Sequence, residues 1–289
     1  MRIETNNLSY VYGQASKELS VHALSGVSLT IEEGEFYGII GQTGSGKSTF
    51  VQHLNGLIKV GKNSGSVKVG EFDLADKKCD FKSLRSKVGM VFQYPEYQLF
   101  AETVYQDVIF GLNNFCSELS SEQKDARVKE AIELVGLDYE SVKDKSPFEL
   151  SGGQKRRVAI AGVIVSKPEI LVLDEPVAGL DPIGKNEFMQ LLHTLHERYV
   201  KTIIIVSHDM NLVAEHCTKL AVFSNGKVLT HGTPKQVFSQ GDIIAQTGLE
   251  LPVTAMLTLA LNGTEEGFDN DFTVNGFTSV IAQKLGGGK

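Results

Sequence analysis

In the stretch Gly38-Ile39-Ile40-Gly41-Gln42-Thr43-Gly44-Ser45-Gly46-Lys47-Ser48-Thr49, Gly41 and Gly46 bracket four residues, with Lys47-Ser48 following. That spacing fits a phosphate-binding loop. A polyphosphate needs many donors and little side-chain bulk. Glycines let the backbone N–H groups of residues 42–47 turn inward, and the loop runs into a helix N-terminus whose dipole favours anions. Lys47 is placed for β- and γ-phosphates and Ser48 for Mg²⁺.

Further stretches carry chemistry of the same kind. Ile170-Leu171-Val172-Leu173 ends in Asp174-Glu175. Carboxylates at the tip of a buried strand are costly unless a cation or proton chemistry uses them. Asp174 suits the Mg²⁺ side of a phosphate site, and Glu175 points elsewhere and can polarise a water. Leu150-Ser151-Gly152-Gly153-Gln154 opens a second anion-binding helix start, with Ser151 as N-cap. His208 follows the strand Ile203-Ile204-Ile205-Val206, where open α/β sheets bind ligands. It either contacts a phosphate, orients a catalytic group or is structural. Tyr12 reads equally well as a base-stacking platform and as a plain strand residue, and Tyr10 as a strand residue. His193, His196 and Glu197 share a helix without a third metal ligand on one face, which favours a solvated polar face.

These residues need rigid elements beneath them. Residues 3–12 alternate loosely, as an edge strand does. Val27, Leu29 and Ile31 mark a strand with one buried face. Phe36 to Ile40 is a buried strand, and Ser48 to Leu57 the helix after the loop. Val88 to Phe92 is a strand that Gln93 ends, and the aromatic stretch Tyr94-Pro95-Glu96-Tyr97-Gln98-Leu99-Phe100 reads as a buried loop or a docking hinge. Residues 101–149 turn helical, with Val128, Ala131, Ile132 and Val135 at helical spacing. They form an insertion between two halves of a sheet. Phe188, Leu191, Leu192 and Leu195 mark an amphipathic helix, and Asn225-Gly226 joins a closing hairpin. Beyond Pro252, residues Val253, Met256, Leu257, Ala260 and Leu261 form an apolar stripe. Phe277, Val280, Ile281 and Leu285 form a weaker one. A small pairing module is the favoured reading, and a disordered tail is expected over 286–289.

The bulk numbers narrow the class. A chain of 289 residues makes one large domain or two small ones. No apolar run reaches the ~18 residues a membrane span needs. The polar start, Met1 to Asn7, is no secretory signal, so a cytosolic protein reaching a membrane through a partner is expected. A net charge of −7 argues against nucleic acid. Cys79, Cys116 and Cys217 are scattered, as reduced thiols are.

In this order, residues 3–235 resemble the ATP-binding subunit of an ABC transporter. The resemblance implies an α/β fold: a P-loop NTPase (RecA-like) core with an antiparallel β edge, a helical signature subdomain at about 95–165 and a small C-terminal helical extension. The ATP-binding domain would span 1–238 and the pairing extension 239–289. Tyr12 is then the adenine-stacking aromatic, and Gly41, Gln42, Thr43, Gly44, Ser45, Gly46, Lys47, Ser48 and Thr49 bind ATP. Ser48, Gln93 and, through water, Asp174 hold Mg²⁺. Glu175 is the general base, with Gln93 sensing Mg²⁺ and the attacking water and His208 beside the γ-phosphate. Ser151, Gly152, Gly153 and Gln154 act on a partner's ATP, and Asp181 lies in the loop crossing the dimer interface. Val91 to Phe100, Val104 to Gly111 and the C-terminal segment are similar to energy-coupling-factor (ECF) transporter ATPases, and the Tyr-Pro-Glu-Tyr form to the second ATPase of the pair. Val177 departs from the Thr or Ser that commonly follows Asp-Glu-Pro. The implied partners are a second ECF ATPase (or a copy of the chain), a membrane T component and a substrate-binding S component, at the cytoplasmic face of the membrane. The implied task is uptake of vitamins or other micronutrients. A cobalt or nickel importer ATPase is the alternative in the same class. A soluble ABC ATPase and a small P-loop kinase are the alternatives outside it.

Overall fold

The computed structural model describes residues 1–13, 20–262 and 270–286. Of the expected tail, Gly286 ends the last helix and 287–289 lie outside the described residues. In chain order the elements are β1 (Ile3–Tyr12), β2 (Val21–Ile31), β3 (Phe36–Gly41), α1 (Lys47–Leu54), β4 (Ser66–Val69), β5 (Phe72–Asp73), α2 (Phe81–Lys87) and β6 (Val88–Val91). The helical insertion follows as α3 (Val104–Phe115), α4 (Ser121–Leu134), α5 (Tyr139–Val142) and α6 (Gly152–Ile164). The core resumes with β7 (Ile170–Asp174), α7 (Pro182–Arg198), β8 (Thr202–Ser207), α8 (Met210–His216), β9 (Lys219–Ser224) and β10 (Lys227–Gly232). Short helices α9 (Pro234–Phe238) and α10 (Gly241–Gln246) lead to α11 (Val253–Asn262) and α12 (Val274–Gly286).

The strands form two sheets, ordered β2-β1-β4-β5 and β10-β9-β3-β8-β7-β6. The second is parallel from β9 to β6. Its strands are continuous apolar runs because both faces are covered. Ile39, Ile170, Val172, Ile204 and Val206 face α1 and the antiparallel sheet, in one core with Phe50, Leu54, Ile3 and Leu29. Their neighbours Ile40, Leu171, Leu173, Ile203 and Ile205 face the helical side, with Val108, Ile160, Leu192 and Val213. Side chains alternate across a strand, so one run feeds two cores.

Two expectations shift. The strand expected at an edge, β1, lies between β2 and β4, because Ile3 to Thr5 pairs on both sides. The first helix ends at Leu54, three residues early, where Asn55 and the left-handed Gly56 (φ 68°) turn the chain. The insertion lies between β6 and β7, which are hydrogen-bonded neighbours. Residues Val104, Val108 and Leu112 of α3 form a buried stripe against α4 and α6.

The C-terminal helices are anchored through α8. Asn211 Oδ1 accepts from Val253 N at 2.9 Å, and Glu215 Oε2 accepts from Val274 N at 2.8 Å. One turn of α8 thus caps the starts of α11 and α12. Ala255 and Thr258 point inward, while Val253, Met256, Leu257 and Leu259 are exposed. The apolar stripe read from the sequence therefore faces out.

Candidate active site

The loop after β3 is shaped by close approach. Gly41 has φ 154°, and a Cβ there would sit 2.3 Å from the Phe223 carbonyl oxygen. Gly46, at φ 103°, would bring a Cβ to 2.4 Å from the Ala23 carbonyl oxygen. The loop closes by Ser45 N donating to Gln42 O at 3.1 Å, and Gly46 N-caps α1 without a side-chain cap. The first N–H groups of α1 are thereby left for an anion. Lys47 is buried, and its Nζ donates to the carbonyls of Gly41 (2.7 Å) and Gln42 (2.9 Å). Burial pushes its pKa down, against the pull of Glu175 and Asp174.

The strand tips bring the acids opposite. Asp174 ends β7 and is buried; its Oδ1 has no hydrogen-bond partner, and Ser48 bonds the carboxylate. Burial pushes its pKa up; the Ser48 hydrogen bond offsets part of this, and Glu175 adds to it. An oxygen-only donor set with an unspent buried carboxylate oxygen fits a divalent cation. Glu175 adopts φ 50°, rare for a residue with a side chain, and its N–H donates to Val206 O at 3.0 Å. Strands β7 and β8 pair Asp174 with Val206, so the residues just beyond also meet. His208 Nδ1 lies 2.7 Å from Glu175 Oε2.

Tyr12, Thr43, Gly44, Lys47, Ser48, Thr49, Gln93, Asp174, Glu175 and His208 line one cleft of about 360 Å³. Tyr12 forms one wall, half exposed, its hydroxyl 3.3 Å from Thr49 Oγ1. Tyr10 packs edge-on against Tyr12 and His53. The exposed Gln93 lies just beyond β6.

The structure keeps two sequence-named groups out of this cleft. Ser151, Gly152 and Gly153 are exposed, and none of residues 151–154 lines it. Ser151 and Gln154 form a reciprocal capping box, with Gln154 N to Ser151 Oγ at 3.3 Å and Ser151 N to Gln154 Oε1 at 3.0 Å. Gln154 thus has a local structural task. Asp181 caps α7, accepting from Gly184 N at 2.7 Å. His193 and His196 are not on a freely solvated face. His193 Nε2 is 2.9 Å from His216 Nδ1, His196 Nε2 is 3.1 Å from Lys201 O, and both rings lean on Phe36. Among the described residues no cluster of His, Cys, Asp and Glu forms a metal centre.

Other neighbours had no sequence signal. A Cβ on Gly248 would come 2.2 Å from Gln42 Nε2, so the C-terminal segment rests against the phosphate loop. Lys185 Nζ holds Asp209 Oδ2 at 2.7 Å, beside His208. Arg156 sits between Glu96 and the chain after Glu175. It lies in the basic run Lys155-Arg156-Arg157, where nothing in the sequence sets it apart.

The fold and the cleft define an ATP-binding cassette. Residues 24–178 match the ABC transporter family. The chain is 48% identical to the energy-coupling factor transporter ATP-binding protein EcfA2 of Clostridium tetani, covering 95% of this chain and 94% of that one. It is 45% identical to the protein of the same name from Clostridium acetobutylicum, covering 98% and 96%. Among solved structures, cbiO1 from Clostridium perfringens, described as part of the ABC transporter complex cbiONQ, superposes with a TM-score of 0.73 at 39% identity, covering 89% of this chain and 98% of that one. The ATP-binding cassette MJ0796, a dimer in a post-hydrolysis state bound to ADP and Pi, superposes at 0.70 with 31% identity, covering 80% and 98%. The chain belongs to the ABC transporter family, as an ATP-hydrolysing subunit of the energy-coupling factor type.

Proposed function

We propose that this chain powers an importer of vitamins or other micronutrients, as one half of a head-to-tail ATPase pair beneath a membrane T component that carries an S component. One observation carries the reading. The nucleotide cleft is walled on one side by its own phosphate loop and strand tips, while the signature residues 151–154 stand exposed elsewhere. A second ATPase supplies the missing wall, and the dimeric form of MJ0796 supports that arrangement. The partner is a related ATPase or a second copy. Residues 1–238 form the ATP-binding domain and 239–289 the pairing extension.

In this reading Tyr12 stacks on the adenine and the N–H groups of 42–47 hold the phosphates. Lys47 exchanges its two carbonyl partners for phosphate oxygens. Ser48, Gln93 and, through a water, Asp174 would hold Mg²⁺, which neutralises charge on the phosphates when bound. Glu175 takes the proton of the attacking water, and His208 fixes the Glu175 carboxylate while facing the γ-phosphate. The partner's Ser151 and glycine N–H groups add donors on the open side, and such donors lower the barrier because phosphoryl transfer is mainly positioning and charge stabilisation. Asp181 lies in the loop that crosses to the partner.

A groove of about 430 Å³ next to Gln98, lined by Leu57, Met90, Phe92, Phe100, Phe110 and Phe115, suits a cytoplasmic helix of the membrane subunit. Attachment at the cytoplasmic face runs through that subunit in this reading; no helix of the described residues is long and apolar enough to cross a membrane. Pull-down of the intact complex, with identification of its subunits, tests the reading. Recovery of the chain without any membrane protein would defeat it. The second reading within the same class, a cobalt or nickel importer, is separated from this one by the same subunit list.

A further inference from the structure

We propose that Arg156 is a positioning residue that ties the placement of Glu175 to the aromatic segment 94–101; this rests on the base role given to Glu175 above. Arg156 lies on α6, little more than a turn beyond Ser151, and is 5% exposed. Its guanidinium makes four hydrogen bonds to two separate segments. Nε and Nη2 donate to the two oxygens of Glu96, at 3.2 and 3.1 Å. Nη1 donates to Pro176 O at 3.0 Å, and Nη2 also to Ala178 O at 3.2 Å. The signature helix, the segment after Gln93 and the chain after Glu175 thus meet on one rigid, planar cation.

Both segments need holding. Glu175 and Tyr94 are non-glycine residues at positive φ, 50° and 55°. Such conformations persist where the surroundings over-determine them. Glu175 is fixed by its N–H on Val206 O, and the carbonyls of Pro176 and Ala178 fix the chain beyond it. Segment 94–101 is pinned by Glu96 at one end. At the other, Asp107 accepts from Phe100 N at 3.4 Å and Ala101 N at 2.9 Å. Between the pins Tyr97 is 84% and Phe100 61% exposed. A partner bearing on those rings moves Glu96, and Arg156 carries the displacement to the strand tip that presents Glu175. Lysine cannot replace this fork, since its ammonium is a point charge with no planar donor array.

The test uses the purified ATPase pair and the variants Arg156→Lys, Glu96→Gln, their combination, and Glu175→Gln as control. Arg156→Lys is expected to lower kcat by about tenfold or more with KM for ATP within about twofold, the pattern of a lost transition-state arrangement. Glu96→Gln lowers kcat less, with the same unchanged KM. The combination is no slower than Arg156→Lys alone, because residues acting as one unit are non-additive. Losses that multiply, a loss confined to KM or to the number of ATP sites, or a kcat within about twofold of wild type would each overturn the proposal. Should Arg156→Lys not fold, Glu96→Gln decides, and an unchanged kcat there is sufficient to reject it. Wild-type turnover in Glu175→Gln removes the base role itself. An inactive Glu175→Gln beside a fully active Arg156→Lys removes only the inference about Arg156.

Discussion

His208 Nδ1 and Glu175 Oε2 are 2.7 Å apart, joined across the tips of two neighbouring parallel strands. The histidine side chain is 70% exposed and the glutamate only 15%. The imidazole therefore holds a sheltered carboxylate from the solvent side. It leaves the other carboxylate oxygen available to a water in the cleft.

Glu175→Gln keeps the shape and removes the basicity. ATP binding is expected to persist while kcat falls by about 10²–10⁴-fold, the usual contribution of a general base. The variant should accumulate as an ATP-bound closed pair in gel filtration. Turnover near wild type would show that another group takes the proton. His208→Ala, which removes only the carboxylate's partner, should slow turnover less.

Exposure of Ser151, Gly152 and Gly153 outside the cleft sets the second expectation. The chain alone should hydrolyse ATP slowly, with a specific activity that rises with protein concentration or with added partner ATPase. Measuring rate per subunit across a dilution series is enough. Brisk hydrolysis independent of dilution would mean that one chain completes its own site.

The cleft was readable before the fold wherever chemistry demands a residue type at fixed spacing. Gly41 and Gly46 are such positions, since any Cβ would strike a carbonyl. The acids at the end of Ile170–Asp174 and the histidine after Thr202–Ser207 were readable for a related reason: continuous apolar strands point to their own tips. What stayed hidden depends on long-range pairing. Nothing local links Arg156 to Glu96, sixty residues away, or Gln42 to Gly248. Strand β1 looked like an edge because alternation reports faces, not neighbours. The stripe of Val253, Met256 and Leu257 has helical spacing, yet periodicity cannot say whether a face turns in or out, and here it turns out.

Glu169, the residue before β7, supplies a pH dependence with a definite sign. Its Oε1 is 3.0 Å from Lys87 Nζ and its Oε2 3.2 Å from Lys201 Nζ. The Lys87 hydrogen bond, with help from Lys201 and against partial burial, holds the carboxyl below its ordinary 4.5. A lowered folded-state value stabilises the protein above the unfolded pKa and is lost as pH falls through the folded one. Glu169→Gln should cost about 0.5–1 kcal/mol in urea unfolding at pH 7, the upper part of the range for exposed pairs. The gap should shrink towards zero well below pH 4.5. A gap that widens in acid would contradict the assignment.

The outward face of α11 makes the last prediction. Val253, Met256, Leu257 and Leu259 are 45–51% exposed, while Ala255 and Thr258 hold the helix to its own chain. Burying such side chains at a pairing surface contributes up to ~1.5–3 kcal/mol each. Met256→Glu with Leu257→Glu should therefore weaken pairing by about tenfold or more, the equivalent of 1.4 kcal/mol. Affinity for an ATP analogue in the isolated chain should not change, because neither side chain lines the cleft. Deleting residues from 240 onward should weaken pairing further, but it also removes the buried Ile244 and the segment resting on Gln42. The point variants are thus the cleaner measurement. Sedimentation velocity on the chain with its partner reads the outcome. An unaltered dimer population in the double variant would mean that this apolar face serves something other than pairing.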